Sequence, residues 1–166
     1  MEKLIEVKNL KTFFYTEAGV AKAVNNISFD IFKGEVLGIV GESGSGKSVT
    51  SLSINRLIPD PPGKIESGEI LYNGTNLLDL SYDEMSKYRG NHISMIFQEP
   101  MTSLNPVLKI STQMNEILMH HDGMSENEAT KKSIEMLHSV GIANPELRIN
   151  DYPHQFSGGM RQRIMI

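Results

Sequence analysis

Cysteine is missing from all 166 residues, so neither a disulfide frame nor a thiolate metal site is available to the fold. That absence suits a reducing compartment. Long apolar runs are missing too: none approaches the roughly 18 residues that a membrane-spanning helix needs. The opening Met1-Glu2-Lys3-Leu4-Ile5-Glu6 has no signal-peptide core, and the chain reads as soluble. Excess positive charge is the third absence. The 16 Lys and Arg against 20 Asp and Glu leave a net charge of −4, which argues against a general nucleic-acid-binding surface. What remains is ordinary for a globular protein, with 39% hydrophobic and 22% charged residues and enough length to bury a proper core.

One stretch organises the rest. Gly41-Glu42-Ser43-Gly44-Ser45-Gly46-Lys47-Ser48 fits G-x-x-x-x-G-K-[ST] in full, the phosphate-binding loop of nucleotide-hydrolysing proteins. Val36-Leu37-Gly38-Ile39-Val40 just before it reads as a buried strand, and residues 49–57 just after it continue as a helix that Pro59 closes. The glycines let backbone amides approach an anion without Cβ bulk, and the positive end of the following helix adds about half an elementary charge. Lys47 then reaches the β- and γ-phosphates, and the Ser48 hydroxyl is placed to ligate Mg²⁺. The bland alternative is a glycine-rich turn. The flanking strand and helix separate the two readings.

Two strands precede the loop, over residues 4–10 and 23–31, with Ile27, Phe29 and Ile31 on one face. Between them run Phe13, Phe14 and Tyr15. Two of these rings read as sheet packing, while one exposed ring near a nucleotide site is suited to stack on a base. Beyond the proline loop at 59–63, residues 68–75 read as a hairpin arm ending in an Asn-Gly turn. Asn26-Ile27-Ser28 and Asn73-Gly74-Thr75 fit a glycosylation pattern but read as turn asparagines. A capping box at Ser81-Tyr82-Asp83-Glu84 starts a short helix to about Tyr88, and Ile93-Ser94-Met95-Ile96-Phe97 reads as another buried strand, ending at Gln98.

After Gln98 the character changes from strand to helix. Pro100 and Pro106 keep the next stretch irregular. A helix follows near 112–121. A second begins at the capping box Ser125-Glu126-Asn127-Glu128 and ends near Gly141, with Ile134, Leu137 and Val140 inward, and Asn144-Pro145 opens a third. His120 and His121 point about 100° apart on a helix and have no ligand partners at metal spacing, so they read as structural. The methionines at 114, 119, 124 and 136 read as core filler.

Near the end, Tyr152-Pro153-His154-Gln155-Phe156-Ser157-Gly158-Gly159-Met160-Arg161-Gln162-Arg163 offers a second glycine-lined helix start, with Ser157 as N-cap. With these residues the chain resembles the nucleotide-binding subunit of an ABC transporter. Phe156-Ser157-Gly158-Gly159-Met160 resembles the family's signature motif, with Phe and Met where Leu and Gln are commonest. Gln98 falls where the family's glutamine loop begins. The stretches 97–106 and 152–163 are similar to the oligopeptide/dipeptide and nickel importer branch, and the resemblance runs from about Leu4 to Ile166.

The resemblance implies an α/β fold: a P-loop NTPase (RecA-like) core with an N-terminal antiparallel β subdomain and an inserted helical subdomain. The core with its phosphate loop is expected over 1–98, the helical subdomain over 99–156, and the signature motif over 157–166. It implies ATP and Mg²⁺ as cofactors. Phe14, or else Phe13 or Tyr15, would stack on adenine. Gly41 and the backbone from Ser43 through Gly44, Ser45 and Gly46 to Lys47 and Ser48 would hold the phosphates and the metal. Gln98 would contact Mg²⁺ or the attacking water. Ser157, Gly158 and Gly159 would cap the γ-phosphate of ATP held by an opposite subunit. The implied partners are that second ATP-binding subunit and transmembrane permease subunits, and the implied place is the cytoplasmic face of the cell membrane.

The family pattern continues past the signature helix with a strand carrying an Asp for Mg²⁺ and a Glu for water. No such pair follows the motif here. The expectation is therefore a fold incomplete at the C-terminus, the N-terminal portion of a longer subunit, with an apolar sheet edge exposed and hydrolysis largely lost. Three function classes stand side by side: an importer ATPase subunit, a nucleotide-binding module without turnover, and another phosphate-loop enzyme such as a kinase or GTPase. The last has no reason to carry the 157–160 motif.

Overall fold

The computed structural model describes residues 2–97 and 103–166. The chain divides into two compact units, Met1–Ser94 and Met95–Ile166. The first is built on a four-stranded antiparallel sheet ordered β2-β1-β3-β4, from β1 (Lys3–Thr16), β2 (Gly19–Phe32), β3 (Gly63–Tyr72) and β4 (Thr75–Asn76). Both β1 and β2 are longer than alternation alone marks. The reason is a bulge. Asn9 (φ 49°) breaks the period of two so that Val7 and Leu10, three positions apart, are both buried on the core side. Its neighbours bend with it. Asn26 on β2 has φ 61°, the Asn9 amide donates to Ser28 Oγ at 2.8 Å, and Gly68 on β3 (φ +116°) leaves no room for a Cβ, which would lie 2.7 Å from Leu10 Cα.

One face of the sheet is covered by α1 (Lys47–Ile54), by a 3₁₀ turn at Leu77–Asp79 and by α2 (Tyr82–Tyr88). Ile5, Val7, Leu10, Val24 and Ile70 from the sheet meet Ile54, Leu77 and Met85 from these elements. Asn73 and Gly74 both have positive φ, as a two-residue hairpin turn requires. Both members of the Ser81 capping box are made, with Ser81 Oγ accepting from the Glu84 amide and Glu84 accepting from the Ser81 amide.

The apolar run at 36–40 differs from the expected buried strand. Residues 35–42 form no regular element, and Val36 (96%) and Val40 (93%) are almost fully exposed. A parallel strand draws its stability from ladders on both edges, and among the described residues no strand lies beside this one. Residues 93–97 likewise form no strand. Ile93 makes an isolated bridge to Arg89 and packs on the core, while Ile96 and Phe97 are exposed.

The second unit is helical, with α3 (Ile110–Asp122), α4 (Glu126–Ser139), α5 (Pro145–Arg148), a 3₁₀ turn at Pro153–Gln155 and α6 (Gly158–Met165). Its core joins Ile110, Leu137, Ile142, Ile149, Phe156 and Ile164. Ile134 and Val140 pack against this core, whereas Ile117 stays exposed. Between α3 and α4 lies a polar contact: Asn115 donates to Thr130 Oγ1 (2.7 Å) and accepts from Ser133 Oγ (2.8 Å). Lys109, at the N-cap of α3, makes no side-chain cap bond. Instead, the Ile110 and Ser111 amides donate to the Asp151 and Ile149 carbonyls.

Candidate functional site

The glycine loop begins as the chain leaves the exposed 36–40 run and ends where α1 starts. Gly44 (φ +80°) and Gly46 (φ +91°) take conformations that a side chain resists. Gly46 is constrained twice over, because a Cβ there would lie 2.3 Å from the Ala23 carbonyl oxygen of β2. The last glycine of the loop is thus seated directly on the sheet. A Cβ at Gly41 would lie 2.7 Å from Ser45 Oγ, so the loop closes tightly on itself.

Gly46 is the N-cap of α1 and offers no side-chain acceptor, and the first turn carries no acid. The amides of that turn keep their donors for an anion. The Lys47 ammonium folds back over the loop, donating to the Gly41 carbonyl (2.8 Å), the Glu42 carbonyl (2.7 Å) and Ser45 Oγ (3.3 Å). A cation held by neutral acceptors above open amides is a charge ready to exchange those acceptors for phosphate oxygens. Ser48 is exposed one residue further along α1.

Three features anchor α1 beneath this loop. Thr12 Oγ1 and Ser53 Oγ meet at 2.8 Å in the buried face between β1 and α1. The Thr50 hydroxyl donates to the Gly46 carbonyl at 3.0 Å. At the far end Arg89 donates to the Asn55 and Arg56 carbonyls, both at 2.9 Å, placing a cation at the negative end of the helix. Sequence reading missed Arg89, which lies 34 residues from its partner and leaves no local pattern.

The three aromatics are held differently. The Phe14 ring packs where a Cβ on Gly63 would lie 2.8 Å from its Cε1, and it is half-buried. Phe13 is half-buried, with Lys22 Nζ 5.7 Å from its ring centre. Tyr15 is exposed, and its hydroxyl donates to Glu66 at 2.8 Å, which holds the phenol above its usual range. Gln98 lies outside the described residues.

In the second unit Ser157 is the N-cap of α6, and its Oγ accepts from the Met160 amide at 3.4 Å. Gly158 and Gly159 are exposed, and a Cβ on either would meet nothing within 4 Å. Phe156, Met160 and Ile164 turn the other side of the segment into the helical core. The glycines therefore face outward, and the apolar residues at 156, 160 and 164 fix which way. Arg163 donates to the Gly141 and Val140 carbonyls at 2.9 and 3.2 Å and to the Gly159 carbonyl at 3.4 Å. The sequence showed this arginine without its role.

Two glycine-lined helix starts, one following an apolar run and one set in a helical unit, define a class. Residues 24–166 match the family model described as ABC transporter, and the chain belongs to that family. Its fold is that of the family's nucleotide-binding cassette. The chain resembles the dimeric bacterial ABC transporter cassette MJ0796, with a TM-score of 0.83 and 30% identity, over 98% of this chain and 67% of that one. A post-hydrolysis state of the same cassette, bound to ADP and phosphate, gives a TM-score of 0.80 at 28% identity, over 97% and 66%.

Among curated relatives, the chain is 52% identical to the oligopeptide transport ATP-binding protein OppD of Bacillus subtilis, covering 99% of this chain and 46% of that protein. It is 54% identical to the dipeptide transport ATP-binding protein DppD of Lactococcus lactis, over 99% and 47%. Against OppD of Escherichia coli the figures are 47% identity over 99% and 48%. The chain thus spans about half the length of the curated relatives it matches.

Proposed function

We propose that the chain is the ATP-binding part of an importer subunit that sits at the cytoplasmic face of the membrane and couples ATP binding and hydrolysis to uptake of peptides or a similar small solute. The solute class rests on the names of its relatives, which are oligopeptide and dipeptide transport ATP-binding proteins. The observation that carries the nucleotide reading is the 41–48 loop itself, a glycine cradle over an uncapped helix start with an ammonium held across it.

That cradle fits a magnesium-bound triphosphate. The loop from Gly41 through Ser43, Gly44, Ser45 and Gly46 offers backbone donors, Lys47 offers a charge, and the exposed Ser48 hydroxyl and Gln98 are the groups that would hold Mg²⁺. Bound Mg²⁺ neutralises triphosphate charge. Lys47 would leave the Gly41 and Glu42 carbonyls for the β- and γ-phosphates, and one of the aromatics, Phe14 in the first instance, would stack on adenine. Ser157, Gly158 and Gly159 would cap the γ-phosphate of ATP bound to a second ATP-binding subunit. Permease subunits in the membrane would choose the solute.

A second reading is a nucleotide-binding module without turnover. Protein that binds MgATP and releases no phosphate supports it, and steady phosphate release excludes it.

Calorimetric titration of ATP into the protein and its Lys47→Ala variant tests the common part of both readings. The variant binds at least about tenfold more weakly, roughly 1.4 kcal/mol. Equal affinity refutes the phosphate assignment.

A further inference from the structure

The first turn of α6 is poorly made to stand alone. It opens with Gly158 and Gly159, both poorer helix formers than alanine. Its N-cap bond is long, at 3.4 Å.

Arg163 reaches that turn from one turn further on. Its Nη1 donates to the Gly141 and Val140 carbonyls just past the end of α4, at 2.9 and 3.2 Å, and its Nε makes a contact as long as the cap bond, 3.4 Å, to the Gly159 carbonyl inside that first turn. A guanidinium at the negative end of α4 is favourably placed, and its planar donors bind acceptors on two elements at once. Gly141 accommodates the contact because it lacks a side chain: at φ +73°, a Cβ there would lie 3.0 Å from Arg163 Nη1.

We propose that Arg163 is a positioning residue: by tying the end of α4 to the first turn of α6, it holds the Ser157-Gly158-Gly159 amides in the orientation that receives nucleotide from a second subunit. The inference rests on the trans-capping reading above and adds the residue that makes the cap rigid. Arg163 touches no nucleotide in this account. It acts through Gly159.

The test measures pairing of the natural full-length subunit by sedimentation velocity with a non-hydrolysable ATP analogue, beside calorimetric affinity of the single subunit for the same analogue. Arg163→Ala weakens analogue-driven pairing about tenfold or more and leaves single-subunit affinity within twofold. Arg163→Lys, which keeps a charge for the α4 carbonyls but loses the planar link to Gly159, falls between. Gly141→Ala pushes on the guanidinium from the other side, so its effect on pairing and that of Arg163→Ala combine to less than their product. A merely structural arginine would lower pairing and analogue affinity together.

Pairing of Arg163→Ala equal to the parent, or loss of both quantities in parallel, overturns the proposal. Should Arg163→Ala fail to fold, Arg163→Lys decides: threefold weaker pairing at unchanged affinity supports the role, and unchanged pairing overturns it. Ser157→Arg is run alongside. If it abolishes pairing while Arg163→Ala does not, the positioning role alone fails. If neither matters, the trans cap itself fails.

Discussion

Replacing Gly46 by alanine puts a methyl group against the backbone of β2. The φ of +91° disfavours any L-residue by roughly 1–2 kcal/mol, and alanine is also a poor N-cap, by about 1 kcal/mol. The third effect is steric. The new Cβ would lie 2.3 Å from the Ala23 carbonyl oxygen, far inside contact distance, and its obstacle is backbone that cannot rotate away. The loop must lift from the sheet. The sum is on the order of 3–4 kcal/mol, near the upper end for one substitution.

Gly44→Ala separates the parts. Its φ of +80° brings the same backbone penalty, but a Cβ there meets nothing within 4 Å, so the loss is roughly 1–2 kcal/mol. Urea denaturation of both variants reads the difference directly, and analogue titration reads whether the lifted loop still binds. Gly46→Ala loses at least about 1.5 kcal/mol more than Gly44→Ala and binds nucleotide more weakly. Equal losses would refute the argument that the loop is seated on β2.

In the helical unit, Asn115→Ala leaves the Thr130 and Ser133 hydroxyls without their shared partner at a buried helix contact, and should destabilise by about 1–3 kcal/mol in urea. An Asn115→Ala variant as stable as the parent would count against that contact. The capping boxes predict an acid-side effect. Glu84 and Glu128 accept from the Ser81 and Ser125 hydroxyls and then from the same residues' amides, which holds both carboxyls below the ordinary glutamate value. Because the folded values are lowered, the contribution is fully present above the unfolded value and is lost as pH falls through the folded one. The gap in urea midpoint between the protein and Glu128→Gln therefore narrows from pH 6 toward about pH 3, and a gap independent of pH contradicts it.

Local chemistry was the legible part of the fold. The capping boxes at Ser81 and Ser125, the Asn73-Gly74 turn and the helix opened by Asn144-Pro145 all stand where short-range rules place them, because each is closed within about four residues. The glycine loop was legible for the same reason. What escaped was whatever depends on distant partners. The bulge at Asn9 interrupts alternation and hid half the length of β1, and β2 begins four residues before the stretch that its pattern marks. Residues 36–40 and 93–97 carry the apolar pattern of buried strands. That pattern states a preference for company without supplying it, and among the described residues neither forms a strand and both are largely exposed, Ile93 with its single bridge apart. Arg89 and Arg163 act 34 and 22 residues away from acceptors that are backbone carbonyls, which every residue has and no sequence advertises.

The central claim is that a triphosphate settles on the 41–48 loop at the start of α1. Titrating ATP into ¹⁵N-labelled protein and following the amides tests it most directly. The largest shifts are expected at Gly44, Ser45, Gly46, Lys47 and Ser48, saturating together. Shifts that leave these five still and gather elsewhere contradict the account.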